Sequence, residues 1–392
     1  MKPIRLIAVV LLGMGLALAY SCRKGAMKNP PAGTGATDSG LGATDSGLYV
    51  LAKGAYDTGL ILPTDIPYKS SLTLYRFGSK TTVPDQFQAA NGTALGLGGN
   101  DLGIYGSKMY IVVFQSNVVR VVDAHTSRVL KTDSFVNPGI GIKPPIYSDQ
   151  RLPLRVYFYS GQAFVSCADG TVAVIDTSSL AVTKFITVGA YGSYPCGMVA
   201  ANGKFYVALS GGGLNDTVAV FDMNTWTEVG KIQVFPYPTS VTADNAGNVY
   251  VLSSGDANFN PHQNVYPDPP TPGGIVVINS KTDQIESQTA MALASPQPVT
   301  VSGNQVYYIT ADNKVAVWDA LTQTLTTDNF ITDGTPIGNA SAICVNPVTG
   351  EVFVADAKIL QNGIVYAFDK TGKLEYSFGT GVDPVKLAIL GQ

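Results

Sequence analysis

Charge is what this sequence has least of. Only 14% of its 392 residues are Asp, Glu, Lys or Arg, against about 25% in an ordinary soluble domain. The net charge is −3 and no basic run follows the N-terminal region, so the electrostatic footprint of a nucleic-acid binder is missing. Histidine is nearly absent: His125 falls in a tight turn that reads as solvated, and His262 lies in the longest loop. No GxSxG, HExxH, P-loop or dinucleotide fingerprint occurs, which removes the sequence basis for the commonest hydrolytic and nucleotide-dependent chemistries. The four cysteines show neither CxxC pairs nor zinc spacing with histidine. Asp57, Asp65, Asp256 and Asp268 sit in loops without EF-hand spacing and read as solvated carboxylates. No cofactor and no catalytic set is implied.

Glycine (42), proline (23) and tyrosine (20) are plentiful instead, a composition that suits short strands, many turns and an exported all-β protein. Residues 1–22 read as a targeting segment: Lys2 and Arg5, an apolar run from Leu6 to Ala19, then Ala19-Tyr20-Ser21-Cys22. Small residues before a cysteine resemble a bacterial lipobox, with Cys22 as the lipidated mature N-terminus; the alternative is a plain secretory signal cut near Ser21. Residues 23–46 hold almost no large apolar side chain and duplicate GATDSGL at 35–41 and 42–48, so they read as a flexible tether. Cys167, Cys196 and Cys344 cannot all pair within the chain and read as buried thiols, with a Cys167–Cys196 bridge as the alternative.

From residue 47 to 392 one pattern recurs. An aromatic-aliphatic strand appears at Tyr49-Val50, Tyr110-Ile111, Phe164-Val165, Tyr206-Val207, Tyr250-Val251, Tyr307-Tyr308 and Phe353-Val354. A β-branched strand follows each, and six of these end in Asp or Asn before a polar turn. A shorter strand precedes most of them, as in DLGIY, RVYFY, PCGMVA, PTSVTA, PVTVSG and SAICV. Four short strands per unit, repeated about every 40–60 residues, are the signature of propeller blades. Seven units are countable; the first lacks its inner strand, and residues 383–389 supply a spare one. The expectation is an all-β, seven-bladed β-propeller whose ring is closed by the C-terminal strand completing the first blade. The recurrent Asp123, Asp176, Asp222, Asp319 and Asp369 are assigned to turn-building, because Asp accepts backbone N–H bonds two residues on.

The long connections fall on one face of such a ring: 53–70, 254–273 and 357–362 between second and third strands, and 88–100, 135–154, 189–195, 235–238 and 332–339 between blades. A scaffold does not need that length. These loops carry Tyr56, Tyr68, Tyr147, Tyr191, Tyr194, Tyr237, Phe259, His262, Asn264 and Tyr266, an aromatic and amide rim suited to a large, uncharged, polar ligand or a protein partner.

The blade pattern resembles the YVTN/YncE-like propellers, and within them the exported DUF5074-type lipoproteins of Bacteroidetes. The stretches that carry the resemblance are GLYVL at 47–51, SLTLY at 71–75, NDL at 100–102, YGSKMY at 105–110, NFITDGT at 329–335 and FDKTG at 368–372. Asn91-Gly92 is kept, without the Arg expected after it, and Arg23-Lys24 stands after Cys22 in place of an acidic export signal. The resemblance implies a lipid-anchored outer-membrane protein, exposed at the cell surface or held on the periplasmic side. It also implies capture of cobalamin or a similar nutrient for a TonB-dependent transporter. An envelope interaction scaffold and a glycan-acting enzyme are the alternatives; the enzyme requires carboxylates from distant blades to converge.

Overall fold

The computed structural model describes residues 46–55, 69–136, 150–211, 215–244, 246–255, 271–291, 299–358 and 360–391. The expected leader, Cys22 and the tether up to residue 45 lie outside the described residues. The described strands form seven four-stranded antiparallel sheets. The inner strands are Pro384–Leu390, Gly99–Tyr105, Pro153–Tyr159, Pro195–Ala201, Pro238–Ala243, Val299–Ser302 and Ala340–Val345, for blades 1 to 7. Inner strands pack on one another at six of the seven junctions, including blade 7 on blade 1 and blade 1 on blade 2, and blades 5 and 6 share a core, so the sheets close into a ring. The protein is a seven-bladed β-propeller.

Side chains alternate across a strand, and here both faces are dry because each blade is sandwiched between two others. In the second strand of blade 2, Lys108–Val113, Met109, Ile111 and Val113 pack into blade 1 beside Tyr49, Leu72 and Leu74. Tyr110 and Val112, between them in sequence, pack into blade 3 beside Ala163, Val165 and Ile175. Two-sided burial explains why these strands are near-continuous apolar runs. The outer strands, such as Glu228–Gln233, are mostly exposed because only that edge of the blade meets solvent. Trp318, in blade 6, is buried beside Tyr250 of blade 5, ring centroids 6.0 Å apart.

The C-terminal strand pairs with Gly47–Ala52, Gly47 opposite Leu390 and Leu51 opposite Lys386. Blade 1 is otherwise meagre: its outer strand is only Thr81–Val83. A short helix, Gln86–Asn91, which the strand pattern did not anticipate, covers it with the buried Phe87. Asp85 accepts from the Gln88 N–H at 3.1 Å at its start. Gly92 ends it at φ 68, where only glycine sits without cost. The long loop expected at 357–362 is absent, since strands Val352–Lys358 and Gln361–Phe368 run almost to each other. Cys167 and Cys344 are free, buried thiols, so a Cys167–Cys196 bridge does not form; burial pushes the Cys344 thiol up to about 12 and leaves it unreactive.

The turn aspartates do what their type dictates. Asp176 accepts from the Ser178 and Ser179 N–H groups at 3.1 and 2.7 Å. Asp222 accepts from Asn224 and Thr225 at 2.8 and 2.9 Å. Asn279 takes the same place in blade 5, accepting from Lys281 at 2.9 Å. These N–H bonds hold Asp176, Asp222 and Asp319 below the usual carboxylate range, and the Thr371 hydroxyl does so first for Asp369. A carboxylate depressed in the folded state stabilises it above its unfolded value near pH 4 and loses that contribution as pH falls through the folded value. Asp222→Ala is therefore expected to lower the melting temperature at neutral pH and shrink the loss on acidification. Asp222→Asn, mimicking Asn279, should keep most of the neutral-pH stability; thermal denaturation from about pH 7 to about pH 3 reads both.

Candidate functional site

The inner strands enter the ring by a repeated device. Leu152, Tyr194, Tyr237 and Asp383 each adopt left-handed φ (56°, 42°, 60° and 55°). Each stands immediately before the proline that opens an inner strand, where proline's missing N–H costs the ladder nothing. Their carbonyls accept from the N–H groups of Ala168, Ser210, Ser254 and Lys53, at 2.9, 3.2, 3.0 and 2.9 Å, each just beyond its blade's second strand or at its end. Gly98 does the same for Phe114 at 2.8 Å. The result is a lip of locked turns around the channel on the face that carries the long connections.

One step inside the lip, the pairing register shifts in six blades, including at Asp101, Arg155, Ser240, Ala342 and, in blade 1, opposite Lys386. Such bulges re-aim side chains. In blades 1 to 3 the residues at this level are ionic. The Asp101 carboxylate, fully buried, lies 3.0 Å from Lys386 Nζ and 3.8 Å from Arg155 Nη1. Its other oxygen accepts from the Val156 N–H at 3.0 Å, while Arg155 Nη1 donates to the Asn100 carbonyl at 2.7 Å and Asn100 donates to the Leu154 carbonyl at 2.7 Å. The three charged side chains come from three blades and pin their inner strands together. In blade 4 the corresponding residue is Gly197, where a Cβ would stand 2.4 Å from the Val241 nitrogen, so blades 4 and 5 meet backbone to backbone.

Outside the lip, Arg151 pairs with Asp169 at 2.7 Å and lies 3.9 Å over the Phe185 ring. Tyr191 is exposed beside them, its phenol shifted upward by partial burial and then by the Asp169 charge. Tyr194 packs on Phe114, Leu152, Leu154 and Ala168 and buttresses the lip. Tyr237 is 3% exposed, its ring turned into the protein. Of the rim residues expected from sequence, the structure thus brings Tyr191 to the surface and sets Tyr194 and Tyr237 into the lip. Tyr56, Tyr68, Tyr147, Phe259, His262, Asn264 and Tyr266 lie outside the described residues. Asp101, Arg155 and Lys386 were missed, although their signal is readable: each is a charge two residues into an otherwise apolar inner strand, at matching positions in GND, PLR and PVK. Among the described residues no three His, Cys, Asp or Glu side chains converge as a metal site.

Asn91 and two of the stretches quoted for the resemblance, NFITDGT and FDKTG, have structural jobs. Asn91 donates to the Ser127 carbonyl at 2.8 Å and accepts from the Val129 N–H at 2.9 Å, tying the helix to blade 2. In NFITDGT, Asp333 accepts from the Thr335 N–H at 3.0 Å and the Leu374 N–H at 2.6 Å, and Thr332 donates to the Gly372 carbonyl of FDKTG. The two motifs dock on each other between blades 6 and 7.

No family model matches the sequence, and no curated protein matches it. Solved structures do. A quinonprotein alcohol dehydrogenase-like protein from Bacteroides thetaiotaomicron superposes with a TM-score of 0.60 at 16% identity, over 88% of this chain and 78% of that one. Hydrazine synthase from Kuenenia stuttgartiensis gives 0.55 at 16% identity, over 72% and 86%. At that identity the likeness is one of fold.

Removing one member of a buried ionic group leaves the others uncompensated, at a cost of about 3–5 kcal/mol. Asp101→Ala is expected to lose stability in that range in urea unfolding. A loss under about 1 kcal/mol, the scale of a surface substitution, would show that the ionic group does not hold blades 1 to 3.

Proposed function

We propose that this protein is a non-enzymatic binding propeller, anchored outside the cytoplasm through lipid on Cys22, which captures its ligand on the long-loop face. The coarse reading, a ligand-binding or interaction scaffold, suits the fold. The observation that carries it is the contrast between the two faces. One face is closed by tight turns such as 106–107, 160–161, 202–203 and 303–304. The other carries the locked lip, and the connections 53–70, 135–152 and 256–271 leave from it. Length on one face alone is a feature of recognition, since ring closure is indifferent to it.

The finer reading is a large nutrient of the corrinoid class, handed to a TonB-dependent transporter of the outer membrane. Its support is the resemblance of the blade sequences together with the aromatic and amide content of the loops. A corrinoid offers a broad ring edged with amides, which tyrosine and asparagine side chains can stack on and hydrogen-bond. Isothermal titration with cyanocobalamin tests it. Saturable one-to-one binding, weakened about tenfold by the surface substitution Tyr191→Ala, is the expected result, tenfold corresponding to about 1.4 kcal/mol. Absence of heat at high ligand concentration removes the corrinoid and leaves the binding face to another nutrient or a protein.

A further inference from the structure

A cavity lies on the short-turn face, at the seam where blade 7 meets blade 1. It is an open-sided hollow of about 590 Å3, inside the range of small-molecule sites. Its apolar wall is a run of aromatic rings. Tyr75 stacks on Phe378 at 4.4 Å and on Tyr376 at 5.3 Å, and Phe77 meets the Tyr75 ring edge-on at 6.1 Å. Its polar wall is acidic. Glu351 accepts from the Thr349 hydroxyl at 2.7 Å and from the Tyr376 hydroxyl at 3.3 Å, and Glu375 lines the same space. Lys80 is the single cation in the lining, and it is exposed.

Two observations mark this as more than a gap between blades. Tyr75 is 6% exposed and lines the cavity, yet its hydroxyl makes no hydrogen bond to the described residues. That hydroxyl is not sealed from solvent, so it is open to a molecule entering the cavity. The two carboxylates also crowd each other: burial first, then the charges of Glu351 and Asp369, hold Glu375 above the usual carboxylate range, and Glu351 likewise raises Tyr75 after burial. Nothing in the fold requires like charges to be gathered beside stacked rings. Ring faces and carboxylates share one preference, which is for positive charge.

We propose that the seam cavity is a second ligand site, and that it takes a small organic cation: a protonated amine or quaternary ammonium on a flat or aliphatic apolar body. The apolar body lies against Tyr75, Phe77 and Tyr376. The cationic centre faces Glu351 and Glu375, and the Tyr75 hydroxyl is placed to accept from an ammonium N–H. Lys80 opposes the ligand's charge from the rim.

Titration of the full chain with phenethylamine and with its neutral counterpart 2-phenylethanol tests the site. Phenethylamine should bind saturably and at least about tenfold more tightly than the alcohol, a difference of about 1.4 kcal/mol. Glu351→Gln with Glu375→Gln should weaken phenethylamine about tenfold, and Lys80→Gln should tighten it a few-fold, opposite shifts that loss of folding cannot imitate. Equal binding of amine and alcohol overturns the proposal. So does failure of phenethylamine to saturate, or indifference to both charge changes. The corrinoid titration reads the other face, so either reading can fail alone.

Discussion

The pairing of Pro384–Leu390 with Gly47–Ala52 is the interaction on which the rest of the molecule depends. Every other blade is built from consecutive chain; blade 1 is built from both ends of it. The closing strand contributes Val385 and Leu390 to the core shared with blade 2, and Leu387 to the core shared with blade 7. Without it, Gly47–Ala52 presents an unpaired sheet edge, the kind of edge that invites aggregation, and two inter-blade cores lose a wall. Lys386 on the same strand reaches Asp101 and, through it, blade 3. The ionic group in the channel and the aromatic cavity below it therefore both flank one strand. Such sequence-distant contacts form late and slowly, because loop closure must precede them.

Much of this was legible in the sequence, and the reason is periodicity. Two-sided burial forces apolar runs such as MYIVV, and the ends of those runs force Asp or Asn into turns, so blade number, strand order and the spare C-terminal strand could be read directly. Features that occur once are not periodic and were missed. The helix Gln86–Asn91 stands where blade 1's outer strand is cut short, and its only markers are Asp85 and Gly92. The strands around residue 359 extend because Lys358 pairs with Gln361, which polar residues do not advertise.

The candidate sites were less legible still, for a geometric reason. A ring brings together residues that the chain separates widely, as with Tyr75 and Tyr376 or Asp101 and Lys386. Rim tyrosines could be listed from the loops, but whether a ring points outward depends on backbone φ. Tyr237 at φ 60° turns into the lip, while Tyr191 remains exposed. Similarly, NFITDGT and FDKTG are distinctive because they grip each other across a blade boundary. Their presence speaks for the scaffold; any ligand must be argued from the connections and from the charges at the channel and the seam.

Closure is the claim to test most directly, by amide hydrogen exchange on the intact chain. If the C-terminal strand locks the ring, the amides of residues 385–390 exchange only with global unfolding, as slowly as those of 47–52 and of an interior strand such as 204–209. Fast exchange of 385–390 while 204–209 stays protected would show a ring that stands without its last strand, and would contradict the account.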